Sequence, residues 1–344
     1  MNSQRDILLF AALALAWGTA FSAIEIGLTS LPPILFAAFR LDVATLLFVA
    51  VVAVLGLEWR PRTRADVIAI TVGGVLLVGA HYGLLFVGQL YVSSAVAAIV
   101  LSLTPIVTPP IALALLPSER IRPPAAVGLM LGLVGVVVIA LSGGSIGGQA
   151  LGVGLLFGSA ISIAIGSVVL ERTRGTLPVV SLQTWAMGVG ALTLHGLSGL
   201  HPGERFVTSA FTTEIVAALA YLGVVSTAGG FLAYFVLLER VGATELSLVN
   251  YTSPVIAAVF GWLLLGESIT VATIAGFGLI VLGFTLCKID SLWKLVRPIV
   301  EDGYTRPSVP TNGFVVRRNP YVRSTNRNNE GRSAPKSRSS PGAD

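Results

Sequence analysis

The chain has 344 residues, of which 54% are hydrophobic and only 11% charged, with a mean hydropathy of +0.85. A soluble globular protein carries about 25% charged residues, so water is excluded as the main solvent and the class is a polytopic membrane protein. The net charge of +5 belongs to the tail: eleven of the 22 Lys/Arg and five of the 17 Asp/Glu lie from Lys288 onward, and the remainder is nearly neutral.

Ten apolar segments follow one another, bounded by charges and by Pro and Gly clusters. They lie near 7–28, 33–56, 66–88, 94–116, 123–141, 150–170, 178–199, 213–238, 243–265 and 270–287. Crossing a hydrocarbon core of roughly 30 Å takes about 20 residues. Ala14-Leu15-Ala16 mimics a signal cleavage site, but the apolar run continues past it and reads as a first span. With the amino terminus in the cytoplasm, the inner loops hold Arg60, Arg62, Arg64, Arg120, Arg122, Arg172, Arg174 and Arg240, and the outer loops only Arg205. This is the positive-inside pattern, with an even span count and both ends inside. After the last span, Ile289 to Val300 mixes Trp293, Lys294 and Arg297 with aliphatics, as a short helix at the headgroup boundary does. The stretch 302–344 is rich in Arg, Asn, Ser and Pro and is expected to be disordered.

The chain also repeats itself. Shifted by 149 positions, residues 66–105 lie on 215–254 without a gap, so that Gly74, Phe86 and Pro105 meet Gly223, Phe235 and Pro254. One residue is extra after Pro105, and at an offset of 148 Glu119, Ile121, Gly128 and Gly135 meet Glu267, Ile269, Gly276 and Gly283. Each copy holds five spans, an odd number, so the second copy enters the membrane upside down. Inverted repeats of this kind are common in secondary transporters, with the substrate site at the repeat interface near the midplane. The expected fold is all-α: ten transmembrane helices in two inverted five-helix repeats.

Trp17-Gly18-Thr19 in the first span, Arg40 in the second, and the duplicated Pro…Glu…Gly pattern resemble the EamA-type branch of the drug/metabolite transporter superfamily. The clearest piece is Thr252-Ser253-Pro254-Val255 followed by Leu264-Leu265-Gly266-Glu267-Ser268-Ile269. The resemblance implies one EamA-like unit over 1–141, a second over 150–288, and a basic tail over 289–344 outside both. It also implies export or import of small metabolites across a cell membrane, with both termini cytoplasmic. The first copy departs from the pattern, reading Leu116-Pro117-Ser118-Glu119 where a Leu-Gly-Glu run is usual.

Pro105 and Pro254 sit about half-way along their spans, and a proline there removes a donor and frees a carbonyl where no water is at hand. Thr104, Thr108, Pro109 and Pro110 flank the first, and Asn250, Tyr251, Thr252 and Ser253 the second. Paired interruptions at matching positions point to a substrate site; the alternative is a packing kink re-satisfied by neighbouring helices. Glu25, Arg40 and Asp42 are ionisable groups inside the first two spans, where a charge is costly and tends to be functional. Arg40 either anchors a substrate carboxylate or pairs with Glu25. His81, with Tyr82 beside it, is a proton relay or a buried hydrogen-bonding spacer. Gln183 and Trp185 are further cavity candidates, Glu245 a gate near the cytoplasmic face, and His195 and His201 solvated. Glu119 and Glu267 lie at helix junctions and read as structural, satisfying free N–H groups at a helix start. Gly128-x-x-x-Gly132 and Gly154-x-x-x-Gly158 read as close-packing devices.

An intramembrane enzyme would need clustered nucleophile, base or metal ligands, but the three histidines are scattered and no His-Glu-x-x-His run exists. Cys287 is the lone cysteine, so neither an intrachain disulfide nor a thiolate metal cage is available. No repeated pore filter and no Walker loop is present, and no cofactor is expected. With Arg40 as essentially the one interior cation, multiply charged sugar phosphates are disfavoured. Neutral, zwitterionic or amphipathic metabolites remain, amino acids among them, with hydrophobic cations at Glu25, Asp42 or Glu245 as the alternative. The partners this reading allows are membrane lipid, the small-molecule substrate, a coupling proton and a second copy of the chain; nucleic acid is not among them.

Overall fold

Every apolar segment expected from the sequence is helical in the computed structural model, which describes residues 4–115, 123–141, 148–173, 175–204, 211–287 and 289. Two continuous helices come first, α1 (Gln4–Leu28) and α2 (Pro33–Val54). The third segment is interrupted, running as α3 (Arg64–Val72), a π-helical stretch (Gly73–Ala80) and α4 (His81–Gln89). The fourth splits into α5 (Ser94–Leu101) and α6 (Thr104–Leu115). Then come α7 (Pro123–Leu141), α8 (Gly148–Thr173) and α9 (Val179–Leu200). The eighth segment repeats the build of the third, with α10 (Thr213–Ala220), a second π stretch (Tyr221–Gly229) and α11 (Gly230–Val241). The chain continues with α12 (Ala243–Leu246), α13 (Val249–Leu265) and α14 (Val271–Cys287).

No strand occurs among the described residues, and seven helical runs are long and apolar enough to cross a membrane. Outside the seven, Val179–Leu200 is long but carries Gln183, Thr184, Trp185 and His195, while Val249–Leu265 and Val271–Cys287 have 17 residues each. Large aliphatics such as Leu46, Leu192, Val271 and Ile274 face outward, whereas Ser94, Ser159, Ser181, Ser226 and Thr227 are fully buried. Outward apolar faces over an apolar core that also holds a few buried hydroxyls suit a lipid solvent. The headgroup helix expected over 289–300 lies outside the described residues apart from Ile289, as do the tail and Glu119.

Helix–helix contact is closest where glycines meet. Gly128 and Gly135 on α7 lie against the backbone of Gly283 and Gly276 on α14, and Gly132 takes Leu103 and Ile106. The second expected pair does not act this way: nothing lies within 4 Å of a Cβ built on Gly154, and Gly158 makes only ordinary contact with Leu84. On α8 it is Gly152, backbone to backbone with Gly88, that allows close approach.

Carboxylates hold helix starts at long range. Asp66 closes a capping box with Thr63 at the start of α3. It also accepts from the amides of Thr176 (2.6 Å) and Leu177 (3.2 Å), just ahead of α9. Glu204 does the same for α2, accepting from the amides of Ile34 (3.1 Å) and Leu35 (2.9 Å). Glu204 thus satisfies first-turn orphan N–H groups of α2, while Asp66 holds the two residues that lead into α9, the helix packed along α2. Arg240 pairs with Asp6 at 2.6 Å and ties the end of α11 to the start of α1. Asp66→Ala would remove the one acceptor shared by the amides of Arg62, Thr63, Thr176 and Leu177, and we expect a lower melting temperature. Thermal unfolding of the purified chain measures it, with Asp66→Asn, which keeps an acceptor, losing less.

Candidate functional site

Arg40 is the centre of the buried polar network. It lies on the inward face of α2 and is only 4% exposed. Its Nε donates to the Thr227 hydroxyl at 2.7 Å and its Nη2 to the Ser226 hydroxyl at 3.3 Å. The guanidinium stands over the Tyr82 ring, 4.6 Å from its centroid, and 5.8 Å from that of Phe86. Both hydroxyls come from the second π stretch, whose wider turn lets Thr227 donate to the Leu222 carbonyl five residues back (2.7 Å). The Ser226 carbonyl in turn accepts from Trp17 Nε1 at 3.2 Å, and Thr19 hydrogen-bonds to the Tyr221 hydroxyl. The Trp-Gly-Thr segment of α1 thus clasps the same π stretch that holds Arg40.

The expected pairing of Arg40 with Glu25 is not formed. Glu25 accepts from Gln89 Nε2 at 3.3 Å. Asp42, two residues from Arg40 and so about 200° round the helix, points the other way and meets His195 Nε2 at 2.8 Å; both side chains are partly exposed, so His195 is paired as well as accessible. His81 links α4 to α8: its Nδ1 hydrogen-bonds the Ser159 hydroxyl at 2.7 Å, and that hydroxyl donates to the His81 carbonyl at 3.1 Å. Glu245 sits in the first turn of α12.

The two prolines differ. The first break falls at Ser102–Leu103, directly ahead of Pro105, and the second at Ser247–Leu248, six residues ahead of Pro254, which lies inside α13. At the first break the carbonyl that Pro105 leaves without a donor, Leu101, is taken by the Thr104 hydroxyl (2.8 Å), and Thr108 donates to the Thr104 carbonyl (2.7 Å). That interruption is satisfied from within. At the second, the Tyr251 and Ser253 hydroxyl oxygens are buried without a partner, and the Tyr251 ring packs on Phe284 at 4.2 Å. Of the residues expected to bind substrate, the structure therefore gathers Arg40, Tyr82 and His81 in one region. Asn250, Tyr251, Ser253 and Pro254 form a separate group on α13.

Trp185 belongs to a third place, a groove between α2 and α9. Its cavity of about 930 Å³ is lined by Thr45, Val52, Trp59, Ser181, Thr184 and Gly188 among others, and a further 400 Å³ reaches along the same helices to Asp42 and Leu192. Trp185 Nε1 donates to the Trp59 carbonyl at 2.7 Å and the two rings stack. Gln183 does not line it. Glu267 caps a helix start as expected, but not that of the helix that follows it. Gly266, left-handed at φ 66°, turns the chain at the end of α13, and Glu267 Oε1 accepts from the Ser94 amide of α5 at 2.9 Å. The sequence reading misses Asp66, Glu204, Ser226 and Thr227; only Asp66 carries a local signal, the Thr63-x-x-Asp66 spacing of a capping box.

Long apolar helices with apolar outward faces, and a buried cation among a few buried hydroxyls inside, define a multi-pass membrane protein. The chain belongs to the EamA-like transporter family, whose profile matches residues 4–141 and again 150–288. It is 31% identical over 267 residues to an uncharacterized transporter of Archaeoglobus fulgidus, covering 78% of this chain and 92% of that one. It is 28% identical to the uncharacterized inner membrane transporter YedA of Escherichia coli (84% and 92% covered) and to a chloroplastic WAT1-related protein of Arabidopsis thaliana (76% and 64% covered). A solved crystal structure matches with a TM-score of 0.57 at 21% identity over 84% of this chain and 99% of the other, a likeness of fold.

Proposed function

We propose that this membrane transporter is a secondary, non-enzymatic carrier working by alternating access. Two five-helix halves of opposite orientation form ten crossings, with both termini cytoplasmic. Its substrates are small amphipathic or zwitterionic metabolites bearing a carboxylate, amino acids among them, and Arg40 receives that group. One observation carries the substrate reading: the Arg40 guanidinium, 4% exposed, has hydroxyls and an aromatic face for partners and, among the described residues, no acid within ion-pair distance. A buried charge without a counter-ion is unfavourable, and a bidentate carboxylate suits the guanidinium fork. The inverted arrangement is supported by the matching π stretches in the third and eighth segments and by acids that hold the chain at the starts of both α2 and α9. The chain is to be reconstituted in liposomes and a metabolite library screened for counterflow at two external pH values. Uptake confined to carboxylated compounds is expected; a response to organic cations, or silence across the library, would remove this reading.

A further inference from the structure

The groove of about 930 Å³ between α2 and α9 shares no residue with the network around Arg40. It lies near the top of the range of about 300–1,000 Å³ that bound small molecules occupy. Its walls are mostly apolar, with Val49, Val52 and Ala53 from α2 facing Trp185 and Gly188 from α9. Thr45 and Thr184 offer no free donor, because their hydroxyls donate to the Leu41 and Val180 carbonyls of their own helices (2.7 and 2.8 Å). The groove runs on to Leu46 and Leu192, which are 70% and 72% exposed, so it opens sideways on the face that meets lipid. Its other end is charged. Trp59 and Trp185 stack there, 6.3 Å between ring centroids. The Arg60 guanidinium stands 5.2 Å from the Trp59 ring centroid and, among the described residues, has no acid within ion-pair distance. Arg62 is paired with Glu58, which leaves the Arg60 charge unbalanced at the mouth.

These features fit one kind of occupant. From Thr45 to the end of α2 at Val54 the helix rises about 14 Å at 1.5 Å per residue, close to half of a hydrocarbon core of roughly 30 Å. The groove thus has the depth of one leaflet. Only the smaller cavity beyond Thr45 reaches Asp42, which is paired with His195. Tryptophans gather at headgroup level, and basic pockets between membrane helices take anionic headgroups. We propose that the groove is a lipid site: one acyl chain of an anionic phospholipid lies between α2 and α9, and its phosphate meets Arg60 beside the stacked Trp59 and Trp185. A zwitterionic lipid would fill the same trough but leave the Arg60 charge without net compensation. The inference needs the membrane and not the carrier cycle, so lipid binding and counterflow are read separately.

The test is photo-crosslinking of the full chain in liposomes, with phosphatidylglycerol or phosphatidylcholine carrying the same diazirine-bearing acyl chain, followed by peptide mapping. Phosphatidylglycerol is expected to label α2 and α9 around Val49, Val52 and Gly188 more strongly than phosphatidylcholine does. Ile274 and Leu282, exposed on α14, should be labelled equally by both. Arg60→Gln should lower the headgroup preference in the groove about five-fold, the worth of one basic residue beside an anionic lipid surface. Gly188→Leu fills the trough from α9, where a Cβ meets only the Thr45 methyl at 3.6 Å. It should remove the labelling of the groove and leave that of α14. Arg60→Gln, in an exposed loop, decides the matter even where Gly188→Leu does not fold. Equal labelling of the groove by the two lipids would make the occupant ordinary boundary lipid and overturn the proposal, as would an unlabelled groove. Loss of the headgroup preference on adding glycerol 3-phosphate would assign Arg60 to a free anion and overturn it too.

Discussion

Arg40→Gln is expected to lower counterflow of a carboxylated substrate by about 10- to 100-fold while leaving the protein folded. Gln can still donate to the Thr227 hydroxyl, so the second π stretch keeps a partner, but it brings neither the charge nor the fork. A hydrogen bond to a charged group is worth about 1.5–3 kcal/mol, and each 1.4 kcal/mol is tenfold in affinity, which sets the range. Stability should hold or rise, because a buried guanidinium without an acid partner is costly in the substrate-free state. Arg40→Lys separates charge from geometry: it restores the cation but not the planar, two-pronged donor, and should fall between wild type and Gln. The measurement is initial counterflow rate against substrate concentration, with melting temperature taken on the same preparations. Wild-type transport by Arg40→Gln would show that the substrate does not use Arg40; a collapsed melting temperature would make the residue a structural tie to Ser226 and Thr227.

The positions of the helices were legible in the sequence because apolar runs between charges have no other stable form in lipid. Partners were much less so. A helix apolar on every side has no hydrophobic stripe to say which face turns inward, and the periodicity of α2 alone cannot choose between Arg40 and Asp42. It does say that the two face apart, and the structure sends them to Thr227 and to His195. Glu267 was legible as a cap because the Gly before it permits the turn, yet the helix it caps begins 173 positions earlier in the chain. The π stretches have no local signature here beyond Gly and small residues, and they decide where Ser226 and Thr227 point. The Pro105 break was legible as a break but not as one whose freed carbonyl is closed by Thr104, since the rotamer of one threonine separates a substrate ligand from a self-satisfied kink.

Gly283→Val should destabilise the protein by about 3 kcal/mol, at the upper end of what overpacking costs. A Cβ at this position would run into the backbone carbonyl of Gly128 on α7, and a backbone atom inside a helix cannot swing aside as a side-chain tip can. The helices must separate, and with them go the contacts of Gly135 with Gly276 and Leu279 one to two turns away. For the same reason Gly128→Val should cost about as much. The double variant should cost clearly less than the sum, because helices already parted by one branched side chain leave room for the second. Gly278 on α14 is the internal control: nothing lies within 4 Å of a Cβ there, and Ala is favoured over Gly in a helix by about 0.8–1.0 kcal/mol, so Gly278→Ala should hold or raise stability. Thermal unfolding of the detergent-purified full chain compares the four. If Gly283→Val melted with Gly278→Ala, α7 and α14 would not approach backbone to backbone, and their glycines would need another explanation.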